Sequence, residues 1–156
     1  LRLTRQFGGF GTASVSFGEP LELSEFRETA KGDLTEAVAI ELMQRIADVT
    51  PVLGVPLVAR HLLDAGPMTT ERLVDTAATS IATLKARGLP APRRPADQIV
   101  ADALERLLAR HLVEKTGENI GVTTRGTDVL AFYANSIAHH FSADAKVIDE
   151  NAAAAE

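Results

Sequence analysis

His139 and Asp144 stand five residues apart. A histidine oriented by a carboxylate is a common general base, but spacing alone does not establish one. Here the pair lies where a final helical pattern runs into the low-complexity end NAAAAE, so the spacing reads as a chance match. His61 and Asp64, at i and i+3, read as a hydrogen-bonded surface or boundary pair on one helix face. The four histidines, His61, His111, His139 and His140, lack paired-ligand spacing beside carboxylates and make no metal site. The chain has no cysteine, which excludes a thiolate zinc site, a cysteine nucleophile and a disulfide framework, and fits a reducing compartment. Gly8, Gly9 and Gly11 follow neither the phosphate-loop nor the dinucleotide pattern. No catalytic, cofactor-binding or metal-ligating residue is therefore assigned, and the main chemistry is expected to lie outside this chain.

The elements around these residues are mostly helical. Residues 12–17 alternate, with Ala13, Val15 and Phe17 on one face, and predict a half-buried strand closed by Gly18-Glu19-Pro20. No partner strand is evident nearby, so it is expected to be a residual edge strand. Asp33 and Glu36 are spaced as a capping box before a stripe of Ala39, Leu42, Met43 and Ile46, and Thr50-Pro51 ends that helix. Val55, Val58, Ala59 and Leu62 mark a second helix stopped by Gly66-Pro67. Leu73, Ala77, Ile81 and Leu84 mark a third, from Thr70 to Gly88. The stretch LPAPRRP, residues 89–95, cannot continue a helix and reads as a linker between two lobes.

Beyond it, Val100, Ala103, Leu104, Leu107 and Leu108 predict a fourth helix, followed by a hairpin of residues 112–115 and 120–123 around Gly117. A last helix is expected over residues 127–141. Its stripe is Tyr133, Ile137 and Phe141, while Asn135 and His139 fall on a different face that a partner could cover. The expected organisation is a strand and turn over residues 1–23, a helical lobe over 24–88, a linker over 89–97, a winged-helix-like lobe of helix, hairpin and helix over 98–141, and a disordered tail over 142–156. The fold class is mainly α.

Hydrophobic residues make up 46% of the 156 and charged residues 24%, enough to bury a core. The longest uncharged apolar stretch, residues 49–59, contains Pro51 and Pro56 and falls short of the ~20 residues a bilayer requires. Residues 49–63 are a candidate interfacial stretch, although a buried helix explains them equally well. The net charge is −5, of which residues 142–156 contribute −3. Such a balance supports neither a polybasic membrane patch nor a basic field for nucleic acid.

Two blocks together resemble the bacterial membrane-associated glycerol-3-phosphate acyltransferase family. VSFGEPLEL, residues 15–23, looks like that family's strand ending in FGEP, and FYANSIAHHF, residues 132–141, is similar to its carboxy-terminal YYRNNxxHxF-like helix. Tyr133, Asn135, His139 and Phe141 are in register; Ala134 stands in place of the arginine, and Ser136 in place of the second asparagine. Thr50-Pro51-Val52 and the apolar residues 57–63 resemble the TPV segment between the two blocks, so the likeness covers residues 7–141. The H-x-x-x-x-D spacing is also that of glycerolipid acyltransferases, but in them it sits at a strand-to-helix turn early in the catalytic domain.

The resemblance implies that residues 1–23 end an α/β acyltransferase domain and that the chain, starting at Leu1, is the carboxy-terminal part of a larger protein. That protein would transfer a fatty acyl group from acyl-CoA or acyl-carrier protein, with no other cofactor, to the sn-1 hydroxyl of glycerol 3-phosphate in phospholipid biosynthesis. It would work at the cytoplasmic face of the inner membrane, as a peripheral protein. The family's histidine–aspartate, phosphate-binding and FPEG-like blocks precede the FGEP strand and have no counterpart here. The implied partners are that amino-terminal catalytic portion and a membrane surface, with no nucleic acid. The alternatives are a winged-helix DNA-binding module, against which residues 98–141 carry four basic and five acidic side chains, and a structural interaction domain.

Overall fold

The structure, a computed structural model, describes residues 3–7 and 11–141. The chain is mainly α, and it divides into two compact units with the boundary between Pro51 and Val52.

In the first unit, strands β1 (Leu3–Phe7) and β2 (Gly11–Val15) pair antiparallel, with Leu3 opposite Val15 and Phe7 opposite Gly11. The strand expected to stand alone thus has a partner just upstream, and it stops two residues early, at Val15. The alternation of Leu3, Arg5 and Phe7 with Thr4 and Gln6 carried the missed signal. Helix α1 (Leu23–Thr29) was too short to show a periodicity. Helix α2 (Leu34–Val49) starts where expected: the Asp33 carboxylate accepts the Glu36 N–H at 3.0 Å. It ends at Thr50, whose extended backbone (φ −61°, ψ 120°) is what a following proline favours. Neither α1 nor α2 contains a buried residue.

The second unit runs α3 (Gly54–Ala65), β3 (Met68–Thr69), α4 (Thr70–Ala86), α5 (Ala96–Ala109), β4 (Val113–Thr116), β5 (Asn119–Val122) and α6 (Gly126–Asn135). Strand β5 is central in a three-stranded antiparallel sheet, pairing β4 by the hairpin and β3 through Met68 opposite Ile120. The hairpin turns at Gly117-Glu118, with Gly117 at φ +63° in the first central position. Helix, strand, helix, helix and hairpin in that order is winged-helix connectivity, and it begins at α3, well before residue 98.

One core serves this unit. Leu57, Val58 and Leu62 of α3 are buried with Leu73 and Leu84 of α4, Val100 and Leu107 of α5, and Leu130 of α6. The proline-rich stretch expected to separate two lobes runs inside the unit. Helix α4 closes with Gly88 N–H on the Lys85 carbonyl (3.0 Å) and Leu89 N–H on the Leu84 carbonyl (2.9 Å), a paired helix stop that turns the chain back. Leu89 and Ala91 then pack on the core. Residues 49–63 are accounted for in the same way, since Leu57, Val58 and Ala59 are wholly buried.

Candidate functional site

The last helix ends six residues earlier than expected. Ser136 Oγ donates to the Tyr133 carbonyl at 2.7 Å, and a separate 3-10 turn, Ala138–His140, follows. A serine hydroxyl bonded to a carbonyl of the preceding turn offers the backbone an alternative to continuing the helix. Asn135 and His139 therefore do not share a helix face. The stripe survives the break nonetheless: Ile137 is buried, while Tyr133 and Phe141 pack against the core. Arg110 Nη1 donates to the Tyr133 hydroxyl at 3.0 Å, the Arg60 guanidinium sits 4.8 Å from the Phe141 ring centroid, and Arg87 Nη1 donates to the His140 carbonyl at 2.8 Å. Three arginines thus pin residues 133–141 to the unit.

The His139 ring lies against that of His140, tilted by 49° with centroids 4.0 Å apart, and Asp144 lies outside the described residues. The two-residue test for a general base therefore stops at His139. His61 does not pair with Asp64 as the spacing suggested. Its Nε2 lies 3.3 Å from Ser80 Oγ on α4, and Asp64 instead takes Arg60 at 3.3 Å. Burial pushes the His61 imidazole below its usual pKa of 6.5, with Asp64 opposing that effect and Arg60 adding to it. A neutral imidazole beside a serine hydroxyl has the chemistry of a nucleophile and its base. His61 is only 8% exposed, however, and the carboxylate that would orient it is held by Arg60. The pair is a satisfied polar contact between α3 and α4.

Among the described residues no group of three or more histidines and carboxylates converges as a metal site. Helix α5 occupies the recognition-helix position of a winged helix. Its charged side chains are Asp97, Asp102 and Glu105 against Arg106, while Arg94 just ahead of it is held by Asp102 and Gln98. The wing carries Glu114 and Glu118 against Lys115.

The first unit holds the more open surface. Residues 14–21 run along α2 and enclose a groove of about 490 Å³, lined by Val15, Phe17, Leu21, Leu42, Ile46 and Val49. Arg45 holds its wall, donating from Nη1 to the carbonyls of Glu19 (3.2 Å) and Pro20 (2.8 Å) and from Nε to Glu41 at 2.7 Å. These carbonyls belong to the FGEP block, so that block is anchored by a cation 25 and 26 residues downstream. Sequence reasoning missed Arg45, because a guanidinium on a helix gives no sign of which distant carbonyls it serves.

Comparison with known families gives one match. A family model described as "Glycerol-3-phosphate acyltransferase C-terminal region" matches residues 1–148. No curated protein and no solved structure matched. On the strength of that match across nearly its whole length, the chain belongs to the glycerol-3-phosphate acyltransferase C-terminal region family.

Proposed function

We propose that this chain is the non-catalytic carboxy-terminal part of a glycerol-3-phosphate 1-O-acyltransferase. The complete enzyme takes a fatty acyl group from acyl-CoA or acyl-carrier protein, needs no further cofactor, and esterifies the sn-1 hydroxyl of glycerol 3-phosphate to begin phospholipid synthesis. The family match over residues 1–148 carries this reading. The local chemistry supports it. Acyl transfer to an alcohol requires a base within reach of the attacking hydroxyl and donors for the developing oxyanion. His61, which pairs with the Ser80 hydroxyl, is largely shut away from solvent. An amino-terminal portion with an H-x-x-x-x-D block supplies the base, and this chain completes the fold around it.

The enzyme works peripherally at the cytoplasmic membrane face; no single helix among the described residues is long and apolar enough to cross a bilayer. Nucleic acid is not a partner in this reading, since the winged-helix unit presents mixed charge where a binder needs a positive face.

The test is reconstitution. The chain and the amino-terminal portion encoded with it are assayed separately and together for transfer of labelled acyl groups from acyl-CoA and acyl-carrier protein to glycerol 3-phosphate. Transfer only by the pair is expected, and it should persist with His139→Ala. Transfer by this chain alone, or a DNA duplex retarded by it with steep salt dependence, would overturn the proposal.

A further inference from the structure

We draw no further inference here: the strongest candidate, the apolar surface patch of helix α2 around Ile40 and Met43, which are 64% and 65% exposed, carries nothing because the structure does not show what covers it.

Discussion

Gly126→Ala is the substitution to which the second unit should be most sensitive. Gly126 opens α6 directly against the end of α5, and a Cβ there overlaps the Leu112 carbonyl oxygen and sits 2.7 Å from its carbonyl carbon. Leu112 is itself buried and has little room to retreat. Its carbonyl also accepts Thr123 N–H at 3.1 Å and shares the Thr123 hydroxyl proton (Oγ1 at 3.1 Å) with the His111 carbonyl, so moving it by about an ångström breaks the first bond and weakens the second. Overpacking of this kind costs about 1–3 kcal/mol, and the disturbed hydrogen bonds add about 1–2 kcal/mol. The better helix propensity of alanine returns up to about 1 kcal/mol. A net loss of about 3 kcal/mol corresponds to a fall in Tm of roughly 12–24 °C for a unit of this size. Gly121→Ala is the control, because a Cβ there meets only Pro67 side-chain atoms at 3.6 and 3.7 Å. Thermal unfolding followed by circular dichroism reads both variants. A Gly126→Ala protein melting within two or three degrees (~0.5 kcal/mol) of the parent would refute the packing of α6 on the α5–β4 corner.

Three further outcomes follow from the same unit. Thr123→Val keeps the side chain's shape but removes a hydroxyl that donates to the His111 carbonyl (2.9 Å) and accepts the Gly126 N–H (3.0 Å); a loss of about 1–3 kcal/mol in urea unfolding is expected, largely restored by serine. Because burial holds the His61 pKa below 6.5, the unfolded chain takes up that proton first as pH falls, and stability contributed above pH 6.5 is lost on the way down to the lowered folded value. His61→Gln should flatten the decline of Tm below pH 6.5, and equal slopes in both proteins would rule out His61 as the source. Arg87→Leu removes the donor to the His140 carbonyl and should speed amide exchange over residues 136–141 while leaving α3 and α5 protected; unchanged exchange there would show that Arg87 does not hold the segment.

What was legible in the sequence was local. The Asp33–Glu36 cap, the stripes of α3, α4 and α5, and the Gly117 turn all depend on residues within a few positions of one another, and each element formed as its pattern predicted. The union of α3, α4, α5 and α6 around one core was not legible. The proline-rich stretch marks only where helices stop, and the contacts that fold it inward, Leu89 and Ala91 on the core, look like ordinary loop residues. Strand β3 is two residues long and shows no alternation, so the sheet could be seen only through its pairing with Ile120 and Asn119. The end of α6 at Asn135 follows neither glycine nor proline, and only the Ser136 hydroxyl on the Tyr133 carbonyl accounts for it.

Net charge illustrates how a correct number can conceal its own meaning. Summed over the part before the tail, the chain is close to neutral, and that total argues equally against a membrane patch and a DNA-binding face. Divided at Pro51, the same residues resolve into an acidic unit of −3 and a winged-helix unit of nearly balanced charge. The winged-helix shape can therefore be explained without nucleic acid. Its three helices bury Leu57, Leu73 and Leu107 in one core, and its recognition-helix position shows mixed charge that attracts phosphate no better than it repels it. The unit is a scaffold holding residues 133–141 by Arg60, Arg87 and Arg110, and those arginines are engaged by an aromatic ring, a carbonyl and a hydroxyl of the same unit. A nucleic-acid binder would need such cations free to reach phosphates.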